Sequence, residues 1–225
     1  MKNIIINSFL LAILLISCGK KDNSSSGPSS AVKYMTTTSG SVWNYESIDN
    51  ITPANNSSYT LTSTIRDTTV NSKTYHVYNN SSTKGSDYYN ISNSDYYTYQ
   101  SLPSALGGSK VENLYLKDNL DLNATWTQNF AITASGVPLT VVLTYRIKEK
   151  NISKIVNGIT YSNVIHVETS VSVSGIPSAS LTSDIQSYYA PKAGLIENHT
   201  KINLNYLTLV NNTDTEIKLK KTNIP

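Results

Sequence analysis

The chain is short of almost everything that usually announces an activity. Its 225 residues include one cysteine, Cys18, so no intrachain disulfide frames the fold. Charged residues make up only 15%, and basic and acidic side chains nearly balance, at 18 and 15. That balance excludes the basic face a nucleic-acid binder needs. The lysines of Lys218-Leu219-Lys220-Lys221 read instead as charges blunting the edge of a last strand. Phenylalanine is nearly absent, at two residues. No stretch of ten or more residues carries a helical period; the nearest, Leu102 to Asn113, is broken by Pro103 and Gly107-Gly108. There is no Gly-x-Ser-x-Gly, no phosphate-cradling glycine loop, and no histidine pair at metal-ligand spacing among His76, His166 and His199. The expectation is a non-enzymatic protein with no metal and no cofactor.

What is abundant is tyrosine, at 16 residues, set among many Thr, Ser, Asn, Val and Ile. These side chains favour pleated, half-buried surfaces. Alternation marks strands at Val42–Ile48, at Tyr59, Leu61, Ser63 and Ile65, and at Leu139, Val141, Leu143, Tyr145 and Ile147. Asp87–Ile91 and Tyr96–Gln100 flank Ser92-Asn93-Ser94-Asp95, read as a four-residue hairpin loop. Asn157-Gly158 is the strongest turn signal, since both residues tolerate the positive φ of a type I′ hairpin. The fold class is all-β and antiparallel: a strongly curved sheet or half-barrel of about ten or more strands.

An internal duplication is also suggested. Val70-Asn71-Ser72-Lys73-Thr74-Tyr75 matches Val156-Asn157-Gly158-Ile159-Thr160-Tyr161, with Tyr59 against Tyr145 and, after a small length change, Trp43 against Trp126. Both halves run on through a histidine to a tyrosine pair, Tyr88-Tyr89 and Tyr188-Tyr189. The halves would be about 40–118 and 119–210, sharing one sheet or barrel.

The start of the chain carries an address. Lys2 precedes a nearly continuous apolar run from Ile4 to Ile16, then Ser17-Cys18-Gly19. The run is too short for a bilayer-spanning helix, which needs about 20 residues. Leu15-Ile16-Ser17-Cys18 resembles the lipobox of bacterial lipoproteins. The resemblance implies a signal peptide over residues 1–17, cut before Cys18, and acylation of Cys18 by palmitate-class chains. Gly19 in place of Asp implies the outer membrane, and Lys20-Lys21-Asp22 is similar to the stretch after the cysteine in Bacteroidota lipoproteins. Surface and periplasmic orientations both stay open. Residues 18–33, rich in serine, read as the lipidated cysteine and a flexible tether, and 34–225 as the β domain. Gly40-Ser41-Val42-Trp43 and Tyr188-Tyr189-Ala190-Pro191-Lys192-Ala193-Gly194-Leu195-Ile196 resemble motifs of an uncharacterised Bacteroidota-type lipoprotein family. That resemblance implies a half-barrel similar in outline to periplasmic lipoprotein carriers.

The tyrosines of one hairpin, Tyr88, Tyr89, Tyr96, Tyr97 and Tyr99, are the candidate binding face, because a flat ring with a polar tip suits sugar stacking or a protein interface. Adjacent tyrosines point to opposite sides of a strand, so each pair cannot serve one face alone. Asp67-Thr68-Thr69 resembles the O-glycosylation site of Bacteroidota, with Thr68 as acceptor. The functional expectation is a lipid-anchored envelope scaffold for a glycan, protein or lipid ligand. The alternative is a carrier or chaperone for an acyl chain or lipoprotein, which calls for an open apolar face around Leu139, Val141 and Leu143 or their opposite-face neighbours.

Overall fold

Among the described residues twelve strands follow one another round one antiparallel sheet: β1 (Val42–Asp49), β2 (Ser57–Val70), β3 (Lys73–Asn80), β4 (Gly85–Ser92), β5 (Asp95–Ser101), β6 (Lys110–Lys117), β7 (Thr125–Ala134), β8 (Val137–Val156), β9 (Ile159–Val173), β10 (Leu181–Ala190), β11 (Gly194–Tyr206) and β12 (Leu209–Asn223). The computed structural model describes residues 32–101, 110–134, 137–207 and 209–225. Cys18, the signal segment and all but the last two residues of the tether lie outside them.

Except at β6 and β7, each strand pairs with its sequence neighbours, and β12 returns to pair with β1. The order is therefore that of an up-and-down barrel with one unpaired seam, between β6 and β7. Side chains cross that seam where a ladder would run. Trp126 Nε1 donates to the Leu114 carbonyl at 2.9 Å, the Leu114 amide donates to Gln128 Oε1 at 3.2 Å, and the Tyr145 hydroxyl donates to Asn113 Oδ1 at 2.6 Å. The sheet thus curls into a nearly closed barrel, and the curved all-β expectation holds.

Local chemistry explains the curl. Asn71-Ser72 and Asn157-Gly158 all take positive φ (50°, 65°, 49° and 78°), so both repeated segments form primed turns whose twist matches the flanking strands. Bulges interrupt the ladders at Asn44/Tyr45, Ser63/Asp67, Tyr96/Tyr97, Tyr188/Tyr189 and along Ile147 to Lys154, each adding bend and twist. The bulge in β2 overturns one sequence expectation. Ile65 does not continue the face of Leu61 and Ser63 but stands 88% exposed, because the extra residues break the alternation before it. The Tyr hairpin is also tighter than expected. Ser92 and Asp95 pair, leaving a two-residue loop in which Asn93 takes φ 55°.

Six strands lie on each side of the seam, with β12 running beyond the second half as bounded from the sequence, and the repeated segments fall on β1 to β3 and on β7 to β9. The Val70 and Val156 turns join β2 to β3 and β8 to β9, and Trp43 and Trp126 lie on β1 and β7.

Two clusters fill the interior unevenly. The larger holds Trp43, Tyr78, Tyr96, Leu116, Ile147, Ile165, Ile196 and Leu219, all fully buried. The smaller packs Phe130, Ile132, Val141 and Val173 against Leu139, Leu143 and Val171. One end of the barrel is closed by the segment leading in from the tether. The Tyr34 amide donates to the Tyr96 hydroxyl (3.0 Å), the Tyr34 hydroxyl to the Asn163 carbonyl (2.8 Å), the Tyr78 hydroxyl to the Thr36 carbonyl (2.6 Å), and the Lys192 amide to the Lys33 carbonyl (2.7 Å). These partners come from strands and turns around the rim, so residues 33–36 cross the barrel end like a floor. Val32–Pro225 form one compact unit that contains this core and the floor.

Candidate functional site

Above the floor the barrel keeps a cavity of about 370 Å³. Inward alternation supplies its walls: Tyr45 from β1, Tyr59 and Leu61 from β2, Asp87 and Tyr89 from β4, Thr98 and Gln100 from β5, Asn113 and Tyr115 from β6, Ser187 and Tyr189 from β10, with Asn198 of β11 and Ile217 of β12 closing the circle. Met35 of the floor faces it from below. Gln100 is exposed and Asp87 half-buried, and both sit near the strand ends remote from the floor. The volume falls within the usual range of small-ligand sites.

The walls are aromatic and polar rather than greasy. Tyr45 and Tyr59 stack with centroids 5.2 Å apart, Tyr89 meets Tyr115 edge to face at 6.2 Å, and Tyr115 meets Tyr189 at 5.4 Å. Burial pushes every one of these phenols up. Tyr59 and Tyr189 reach about 12, while Tyr45, Tyr89 and Tyr115 rise well above the ordinary value. They are therefore neutral donors at any physiological pH. The Tyr45 hydroxyl is committed to the Leu195 carbonyl at 2.9 Å. Thr98 Oγ1, also in the wall, is buried and has no hydrogen-bond partner among the described residues.

Among the described residues Asp87 is the one ionisable carboxylate in the wall, and no lysine, arginine or histidine lines the cavity. Its Oδ2 accepts from Asn80 Nδ2 at 2.8 Å, and among the described residues it forms no salt bridge. Burial raises its pKa above the usual carboxylate range, with the Asn80 hydrogen bond opposing. A raised folded-state value means the native protein binds the proton more tightly than the unfolded chain, so stability falls as pH rises from the ordinary carboxylate value through the folded one. Asp87→Asn is accordingly expected to raise the melting temperature at pH 7. That gain should vanish once the pH is low enough to protonate Asp87 in both states. Melting curves of the two proteins across about pH 3–7 check this.

The five tyrosines singled out in the sequence do not share one face. The pairing Tyr88↔Tyr99, Asn90↔Tyr97, Tyr89↔Thr98 and Ile91↔Tyr96 sends them to opposite sides of the sheet. Tyr89 and Tyr96 point inward, Tyr89 to the cavity and Tyr96 into the core, where its hydroxyl donates to Asp118 Oδ2 at 2.6 Å. Tyr88, Tyr97 and Tyr99 lie on the other side with Tyr75. There Tyr75 and Tyr99 sit 6.0 Å apart and Lys73 Nζ stands 3.5 Å from the Tyr97 ring. Four cavity tyrosines, Tyr45, Tyr59, Tyr115 and Tyr189, were not singled out in the sequence. Alternation reveals their inward face, but no sequence signal distinguishes an inward tyrosine beside space from one in a filled core.

The remaining sequence candidates take ordinary places. Thr68 is half-buried in β2 opposite Tyr75, beside Asp67, whose carboxylate meets His76 Nδ1 at 2.8 Å. His166 Nδ1 meets Glu149 at 2.8 Å, and its ring stacks on Tyr188 at 4.1 Å. His199 Nε2 meets Asp214 at 3.0 Å. Each histidine has its own carboxylate, and none converges on another. Among the described residues no set of three or more potential ligands gathers to hold a metal ion. Val141 is 1% exposed inside the smaller core, with Leu139 and Leu143 packed beside it. The face of Leu139, Val141 and Leu143 is therefore filled.

The fold is similar to that of a putative lipoprotein from Parabacteroides distasonis, solved by crystallography. The match has a TM-score of 0.51 at 15% identity and covers 84% of this chain and 98% of that one. A putative exported protein with a YmcC-like fold from Bacteroides fragilis aligns over the same shares at 7% identity, with a TM-score of 0.45. No protein-family model matches the chain, and no curated protein does.

Proposed function

We propose that this chain is an exported, lipid-anchored binding protein of the bacterial cell envelope, held at the outer membrane through Cys18. In this reading it performs no chemistry and takes a small polar ligand in its barrel. The observation that carries the reading is the cavity itself: five neutral tyrosines, two asparagines and a glutamine around an interior space. Such walls combine ring faces for stacking with scattered donors and acceptors, the mixture that small-molecule sites use for orientation. The lipobox-like Leu15-Ile16-Ser17-Cys18 supports the anchor, and the likeness in fold to a Parabacteroides distasonis protein described as a lipoprotein is consistent with it. The acyl-carrier alternative fits less well, because Leu139, Val141 and Leu143 are spent in packing.

Two measurements test the proposal. Cys18→Ala should move the protein from the membrane to the soluble fraction and abolish palmitate labelling, and retention on the membrane would refute the anchor. Thermal shifts of residues 32–225 against a panel of small polar compounds should reveal a ligand. At a hundred times its dissociation constant, a ligand adds about 2.7 kcal/mol of stability. Its effect should weaken in Tyr89→Phe and Asn198→Ala. A ligand whose effect ignored both substitutions would not occupy this cavity.

A further inference from the structure

We infer that the cavity selects an organic cation, a primary or quaternary amine, whose charge lies between the Asp87 carboxylate and the rings of Tyr59 and Tyr89. This deepens the proposed function and rests on its reading of the cavity as a ligand site.

Three observations carry it. The first is the sign of the site. One carboxylate and, among the described residues, no cationic side chain line the space, so its field repels phosphates, sulfates and carboxylates and attracts positive charge. The second is the condition of Asp87. A half-buried carboxylate is normally paired, because removing it from water without a counter-charge is costly. Elsewhere in this protein several acidic groups find cations: Asp95 meets Lys117, Glu112 meets Lys73, and Glu197 meets Lys154, whereas the half-buried Asp118 accepts from the neutral Tyr96 hydroxyl. Asp87 has only the neutral amide of Asn80, which occupies one oxygen. Its other oxygen has no partner among the described residues and is not sealed from the space around it. The third is the aromatic setting. Tyr59 and Tyr89 line the same cavity as Asp87, and their phenols are raised by burial first and by the Asp87 charge second. The rings of the wall pair face to face (Tyr45 with Tyr59) and edge to face (Tyr89 with Tyr115). A cation over such faces is attracted by the ring quadrupole, most strongly where water is excluded. A neutral sugar would use the rings and the amides but would leave the carboxylate without a counter-charge.

The same protein already contains this chemistry in miniature. Lys73 sits over the Tyr97 ring while pairing with Glu112, and Lys154 sits 3.6 Å from the Tyr188 centroid while pairing with Glu197. The cavity wall presents a carboxylate and tyrosine rings together in the same way.

The test separates charge from shape. Residues 32–225 are titrated by calorimetry with choline, with putrescine, and with 3,3-dimethylbutan-1-ol, the uncharged isostere of choline. At least one cation is expected to bind, and choline should exceed its isostere by at least about tenfold, the scale of a desolvated cation–π contact. Asp87→Asn should abolish that preference, bringing the affinity for choline down to that for its isostere. Its folding is checked by the melting curve predicted above. Equal affinity for choline and its isostere would overturn the inference, as would no heat from either cation up to about 10 mM, a dissociation constant too weak to matter. A neutral saccharide that binds regardless of Asp87→Asn but weakens in Tyr89→Phe would sink the cation and leave the cavity-binding reading standing. If no compound of either kind binds, both fail.

Discussion

Trp43→Ala is expected to lower stability by about 3–5 kcal/mol, the usual range for deleting a buried indole. Trp43 is 0% exposed at the start of β1, with its ring 5.8 Å from that of Tyr78. Its Nε1 donates to the Ala193 carbonyl at 2.8 Å. The substitution removes the largest side chain of the main core and leaves a carbonyl of the β10–β11 turn without its donor. That turn also donates, through Lys192, to the floor segment at Lys33. Strand, turn and floor therefore loosen together, which places the loss toward the upper part of the range. For a domain of this size it corresponds to a fall in melting temperature of roughly 6–20 °C. Thermal unfolding followed by circular dichroism measures it. Trp43→Phe should cost less, about 1–3 kcal/mol, because a ring remains and mainly the hydrogen bond is lost. Near-equal losses for the two variants would mean that the hydrogen bond, and not the ring volume, holds this end of the barrel.

Gly194→Ala should be almost as severe, at about 2–4 kcal/mol. Two terms add: a left-handed backbone, costing about 1–2 kcal/mol for a residue with a Cβ, and overpacking, typically about 1–3 kcal/mol. Gly194 opens β11 with φ +71°, and a Cβ there would stand 2.8 Å from Met35 Sδ and 3.4 Å from the Tyr34 carbonyl. Methionine can give way more easily than backbone, so the sum is kept below the additive maximum. Gly40 and Gly158 are the controls, since both have positive φ but open space around an added Cβ. Their alanine variants should show only the backbone term. If Gly194→Ala melts no lower than Gly158→Ala, the floor is not held against β11 as described. Because Met35 also faces the cavity, displacing it should weaken ligand binding along with stability.

Much of the fold was legible residue by residue. The face of Leu139, Val141, Leu143, Tyr145 and Ile147 survives intact along β8, since uninterrupted alternation specifies which side is buried. Asn157-Gly158 makes the turn its φ tolerance demands. Ile65 failed because a bulge inserts residues without changing composition, and alternation cannot see it. The Tyr hairpin shows both sides of the matter. Alternation required that Tyr88 and Tyr89 diverge, and they do. Which of the two would meet empty space depended on strands far away in sequence.

By itself, then, the sequence determined the strand content, the antiparallel pairing, the tight turns and the lack of a disulfide frame, because each follows from local propensity or from residue type. It also carries the lipobox-like segment around Cys18, which is read from the chain and lies outside the described residues. Tertiary structure decided the rest. Closure of β12 onto β1, the side-chain bridge across the β6/β7 seam and the floor at Tyr34 and Met35 join separate strands, as when Trp43 reaches Ala193 across the core. The isolation of Asp87 among tyrosines from several strands is of the same kind. Whether an inward side chain packs or borders a cavity is settled by the volume its distant neighbours leave, and no local pattern encodes that volume.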